Sequence, residues 1–291
     1  MKKFTTKKLL LVSFAVLAVF MLAGCQRNVD ENGVVLAEKI IYLTTSWGDI
    51  FKTDGLFTTV FVYPLSQCIN FLSQYVGVVL AIVLTTLIVN MITLSFSVKS
   101  TVDMQKIQNL QPELNRIQKK YEGRNDDNAR LQQAQEMQKL YEKHNVNPFG
   151  SMLTPFLQLP IMLAMYYSVQ RSAAVVSGTI FGSSLSNTPM DGLREGEFIL
   201  FVIFILMGIA QFASSKLPTY LAEKKNERKR KAYAKQDDNK QNTNTMVYAM
   251  LVMILVLAIN WPTAMSLYWL VSSTINVVKT LYVQKRYIDH E

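Results

Sequence analysis

Thr86, Asn90, Thr93 and Ser97 follow one another at steps of four, three and four residues inside the apolar run LTTLIVNMITLSFSVK, residues 84–99. On a helix that spacing puts one amide and three hydroxyls on the same side. Thr85 and Ser95 add further polar groups to the run. Their chemistry is hydrogen bonding in surroundings where an unsatisfied polar group is unfavourable. Two roles are open to such a stripe. It lines a wet groove, or it bonds to neighbouring helices as Ser, Thr and Asn ordinarily do in membranes, at about 0.6 kcal/mol each. Nothing else in the chain suggests reaction chemistry. There is no Gly-rich phosphate loop, no GxSxG or HExxH stretch and no Cys/His cluster, and His144 and His290 stand apart from any partner motif. The sequence therefore reads as a protein that is not an enzyme and takes no cofactor or metal.

The elements that would position this stripe are set by composition. Hydrophobic residues make up 50% of the chain, in blocks too long for a soluble domain, which is the pattern of a polytopic membrane protein. The net charge of +9 comes without aromatic-basic interleaving or a groove-reading motif, so DNA is not an expected partner. Basic loops beside membrane spans, close to lipid headgroups, account for it. Residues 1–24 read as a signal peptide: Lys2, Lys3, Lys7 and Lys8 precede the apolar core LLLVSFAVLAVF. Leu22-Ala23-Gly24-Cys25 then resembles the lipobox of bacterial lipoproteins, which implies a lipid-modified, palmitate-type anchor on Cys25 at the mature N-terminus. The alternative is an uncleaved first helix. Loss of the four lysines leaves +9 − 4 = +5. Cys68 is then the only other cysteine, and no internal disulfide remains to be formed.

Five spans follow, at about 76–98, 149–169, 198–217, 246–259 and 261–283. The third and fourth have apolar cores shorter than the ~20 residues that a bilayer asks of a helix. The segment 99–147 carries nine Lys/Arg against seven Asp/Glu, and 216–240 carries nine against four. The loop 178–197 has Arg194 against three acids, and Asn260-Trp261-Pro262 has no charge. The positive-inside rule puts the first two segments in the cytoplasm and the last two outside. A lipidated N-terminus outside and a C-terminus inside agree with it, in a bacterial cell membrane. Arg171 at the end of the second span and Lys279 in the fifth read as side chains snorkelling to the interfaces.

In VDMQKIQNLQPELNRIQKKYEG the apolar positions Ile107, Leu110, Leu114, Ile117 and Tyr121 step by three and four, one face of a helix. GRNDDN reads as a break, and a second helix follows with Ala134, Met137 and Tyr141 on one face. The segment 99–147 is thus a helical hairpin, either a spacer or a docking paddle. The basic stretch within 216–245 reads as a solvated loop near anionic headgroups. In the outer segment 25–75, YPLSQCINFLSQYV has helical spacing and reads as an interfacial helix.

NVNPFGSMLTPFLQLPIMLAMYYSVQR and NWPTAMSLYWLVSSTINVVKTLYVQKR are similar to the second and last spans of the YidC family of membrane protein insertases, and MQKIQNLQPELNRIQKKY to that family's first cytoplasmic region. The resemblance covers residues 63–286. It implies an all-α polytopic membrane protein with five transmembrane helices, a polar groove and a cytoplasmic helical hairpin. The groove would receive hydrophilic segments of newly made membrane proteins and release their apolar helices into the bilayer. Nascent membrane proteins are then the partners, with the ribosome, a targeting receptor and the general secretion channel as further candidates. By the resemblance Gln158 and Trp269 line the groove, with Asn90 and Thr86, and with Gln211 and Ser273 as less closely matching positions. The family usually carries an arginine in the first span. The alignment places Asn90 there, so the polar face remains while its cation is gone. That departure suits a divergent paralogue. The short tail, residues 287–291, offers no basic extension for ribosomal RNA. A chaperone or scaffold subunit without insertion activity is the alternative; a transporter, which lacks any visible inverted repeat here, is a distant third.

Overall fold

The computed structural model describes residues 35–124, 126–232 and 243–289. Cys25 and its signal peptide therefore lie outside the described residues, as does part of the basic loop within 216–245. The helices run in order α1 (Trp47–Phe57), α2 (Tyr63–Val76), α3 (Val78–Asn109), α4 (Gln111–Lys120), α5 (Asp127–Lys143), α6 (Pro148–Arg171), α7 (Ala173–Val176), α8 (Pro189–Glu195), α9 (Phe198–Ala232), α10 (Thr243–Ala258) and α11 (Thr263–Val283). A two-stranded hairpin, β1 (Thr179–Ile180) and β2 (Ser183–Ser184), lies between α7 and α8. The fold is thus nearly all helix, as the apolar blocks predict.

By length and composition, Trp47–Val76 and Phe198–Lys225 are able to cross a membrane, with Val78–Leu94 and Ser97–Asn109 a third candidate if that bent pair is one span. The expected spans at 149–169, 246–259 and 261–283 fall on α6, α10 and α11. At 16 residues α10 is about 24 Å long, short of a bilayer's ~30 Å apolar core, as its sequence leads one to expect.

The chain divides into two compact units. The first holds residues up to 85, 158–203 and 260–268. α1 and α2 join through a π turn at Thr58–Val62, and the kink within α1 falls at Gly55, whose φ of 78° is one that residues with a side chain avoid. Ile41, Ile50, Phe57, Val62 and Ala164 form a core cluster, with Tyr63, Leu65, Leu163 and Tyr167 against it. The interior is also polar. Arg171 is only 1% exposed and donates to the Asp54 carboxylate and, at 2.6 Å, to the Lys39 carbonyl. Lys39 donates to the other Asp54 oxygen. Asn70 donates to the Ile41 carbonyl at 2.7 Å and accepts from the Ser172 hydroxyl at 2.6 Å and the Ala174 amide at 3.0 Å. Each charge or amide buried here therefore has a partner, which is the condition for burying it. Arg171 does not reach outward from a helix end, as the sequence reading expected. Asp54 lies close enough to hold it inside.

The second unit holds residues 86–157, 204–259 and 269–291. In it Leu110, Leu114, Leu140 and Val146 form a cluster flanked by Ile107, Ile117, Met137 and Tyr141. This is the predicted hairpin, built by α4 and α5 on the face that the three-and-four spacing marks. Asp126 caps α5 by accepting from the Ala129 amide at 3.0 Å, and Gly123 takes a φ of 81° in the turn. One expectation changes. The helix read across 102–123 breaks at Leu110, and its first part continues α3. Pro112 is the cause: it has no amide hydrogen to donate to the preceding turn and is tolerated only at a helix start.

Candidate functional site

The polar stripe of α3 satisfies much of itself. Asn90 Nδ2 donates to the Thr86 carbonyl at 2.8 Å, Thr93 Oγ1 to Val89 at 3.0 Å and Asn90 at 3.2 Å, and Ser97 Oγ to Leu94 at 3.1 Å. A side chain that returns to a carbonyl three or four residues back keeps a polar group at depth without needing another helix. Thr86 is fully buried, while Asn90 and Thr93 are half-buried. The Asn90 side-chain oxygen, Oδ1, takes no hydrogen bond from the described residues, so an acceptor remains available at the middle of the stripe.

Gln211 on α9 and Ser273 on α11 meet directly: the Ser273 hydroxyl donates to Gln211 Oε1 at 2.5 Å. Ser273 is buried and Gln211 half-buried, which leaves the Gln211 amide hydrogens for another acceptor. On the same helix Lys279 is half-buried and donates to Asn276 Oδ1 at 2.8 Å. Near it Gln105 of α3 donates to the Thr280 carbonyl at 3.2 Å. Trp269 is buried at 7% exposure. All of these belong to the second unit.

Gln158 belongs to the first unit, where its Nε2 donates to the Tyr268 hydroxyl at 3.1 Å. Tyr268 is buried and is the first aromatic of the LYW motif. The structure thus joins two motifs that the sequence reading treated separately. Sequence reasoning missed the Lys39–Asp54–Arg171 cluster. The available signal was an acid at 54 just before the apolar run that begins at Leu56, and an arginine at a span's end on the side poor in cations.

What this arrangement offers is a set of donors and acceptors on apolar helices, uncharged apart from Lys279 and the Lys39–Asp54–Arg171 cluster. Among the described residues there is no grouping of His, Cys, Asp and Glu that would hold a metal ion. A family model for the 60Kd inner membrane protein matches residues 69–290, most of the chain. The chain belongs to the 60Kd inner membrane protein family. Relatives in that family include the membrane protein insertase YidC 2 of Bacillus anthracis, 32% identical over 80% of this chain and 83% of its own. Another is the membrane protein insertase YidC of Enterococcus faecalis, 30% identical over 97% of this chain and 86% of its own. A crystal structure of an active YidC insertase with its first transmembrane domain resolved shares the fold, with a TM-score of 0.53 at 20% identity. The match covers 78% of this chain and 46% of that one, so this chain spans just under half of that solved chain. The all-α membrane fold implied by the motifs at 145–171 and 260–286 is borne out by this likeness.

Proposed function

We propose that this chain inserts newly made membrane proteins. A hydrophilic segment of the arriving protein is held by polar side chains within the membrane while its apolar helix passes into lipid. The observation that carries this reading is its kinship with proteins named as insertases, which extends over nearly the whole chain, together with partly exposed polar side chains on membrane helices. Asn90 and Gln211, both half-buried, are the contacts we assign in the second unit, with Thr86 and Ser273 bonded to them and Trp269 buried, and Gln158 is a contact in the first. Passage through lipid is unfavourable for backbone groups that lose water, and a wet polar surface shortens that passage. Burial of the arriving apolar helix drives the process without a nucleotide. Cys25 carries the lipid anchor outside, the C-terminus is cytoplasmic, and the α4–α5 hairpin faces the cytoplasm, where the ribosome, a targeting receptor or the general secretion channel would dock. The bilayer itself is the remaining partner. The return of Asn90 to its own helix favours a second reading, a chaperone or scaffold with the stripe acting as internal glue.

Photocrosslinking separates the two. A crosslinker at Gln211 should capture short membrane proteins during their synthesis. Capture of stable partner subunits alone would favour the scaffold.

A further inference from the structure

Phe181 is 88% exposed and has a φ of 50°. With Gly182 at a φ of 92°, it forms the two-residue loop between β1 and β2, whose register pairs Ile180 with Ser183. Two positive φ values in such a loop make a type I′ turn, whose first position belongs to Asn, Asp or Gly. A phenylalanine there is strained, and its ring gains nothing from the fold, because almost all of it is outside. The hairpin is also held firmly. The Leu185 amide donates to the Gly178 carbonyl, and Leu185 is fully buried. The Thr263 amide and hydroxyl both donate to the Asn187 carbonyl at 2.9 Å, and the Ala264 amide donates to Leu185 at 3.1 Å. A rigid, anchored loop therefore presents an aromatic ring away from the protein at a conformational cost.

The surroundings say what receives it. No charged residue lies between Arg171 and Asp191, a long uncharged stretch for a loop. The stretch joins two membrane helices, and Phe198 at the start of α9 is itself well exposed. An uncharged, Ser/Thr-rich loop with an outward aromatic ring matches the level where headgroups meet acyl chains, which aromatic residues favour. We infer that Phe181 is a membrane-interface anchor, set into the lipid surface beside the helices that α6 and α9 provide. This rests on the chain spanning a membrane and is independent of what it inserts.

The test uses the whole chain in vesicles of phosphatidylethanolamine and phosphatidylglycerol. A Cys68→Ser, Phe181→Cys variant carries an environment-sensitive fluorophore at 181, and a matching label at Arg194, whose side chain is 73% exposed, is the control. The 181 label should emit at shorter wavelength than the control, be quenched by lipids spin-labelled near the headgroup, and resist aqueous iodide. Iodide quenching equal to the control, without lipid quenching, overturns the inference; so does a photocrosslinker at 181 that captures a protein in place of lipid. Phe181→Asn supplies an independent readout. Relief of the strained turn should raise the unfolding midpoint by about 2 °C. A fall of several degrees would mean that the ring holds the fold together, and the anchor reading would fail.

Discussion

Replacing Asp54 by Asn should unsettle the first unit far more than its position near a chain terminus suggests. The Arg171 and Asp54 side chains are 1% and 2% exposed, so their pairing is dry, while Lys39 at 19% keeps some water. An amide at 54 preserves shape and one acceptor but leaves a buried guanidinium without a counter-charge. Removing one partner of such a pair costs about 3–5 kcal/mol, because the charge that remains is uncompensated. Asn retains a hydrogen bond to Arg171 or Lys39, which puts the expected loss at about 3 kcal/mol. In a unit of this size that corresponds to a fall of about 8 °C in unfolding midpoint. The assay is thermal unfolding of the purified protein in detergent, followed by intrinsic fluorescence. Arg171→Met alone should cost less, because Asp54 keeps Lys39 as a partner. The double variant Asp54→Asn, Arg171→Met should cost well under the sum of the two, because the guanidinium that the Asp54→Asn change would strand is gone. A coupling of about 2 kcal/mol or more between the two sites is expected. Single variants that each cost less than about 1 kcal/mol, or a double variant that costs their sum, would refute the reasoning.

Three further outcomes follow from other parts of the molecule. Leu114→Ala removes a buried side chain from the hairpin cluster and should lower local stability by about 2–4 kcal/mol, seen as faster amide exchange across 111–143 with the first unit unchanged. In the same hairpin Lys120 and the Tyr121 hydroxyl both donate to Glu136, and hold its carboxyl below the usual carboxylate range. A carboxyl lowered in the fold contributes stability above its unfolded pKa and loses it as pH falls through the folded value. Exchange across the hairpin should therefore quicken on acidification through and below the ordinary carboxylate range, and Glu136→Gln should flatten that response. Asn90→Arg restores a cation to the α3 stripe and should raise insertion of proteins with acidic hydrophilic segments by about threefold, the scale of one intramembrane polar contact, while leaving neutral ones unchanged. Insertion assays with paired acidic and neutral substrates would show it.

Local periodicity made the hairpin legible: Ile107, Leu110, Leu114, Ile117 and Tyr121 mark a face, and GRNDDN marks the turn that Gly123 and Asp126 make. The stripe on α3 was legible for the same reason, and its hydrogen bonds run along the helix that the spacing predicts. What spacing does not reveal is partnership across the chain. Asp54 and Arg171 are 117 residues apart, and Gln158 and Tyr268 are 110 apart. Gln158 reads from the sequence as groove-lining and Arg171 as snorkelling to an interface, and only packing joins each to its distant partner. The break at Leu110 was hidden differently. An apolar face that continues through a proline keeps its period, while the backbone hydrogen bond needed to continue the helix is gone. Trp47–Val76 is long and apolar enough to span, yet Asp49, Lys52 and Asp54 and the glycine at 55 interrupt the pattern.

The most direct measurement places a photocrosslinking residue at Asn90 and, separately, at Gln158, during synthesis of short membrane proteins beside vesicles that hold this protein alone. Crosslinks from both positions to arriving chains are expected, together with their insertion into the vesicles. No crosslink from either position, while a relative that carries the arginine gives them under the same conditions, would contradict the insertase reading and leave the α3 stripe as internal glue.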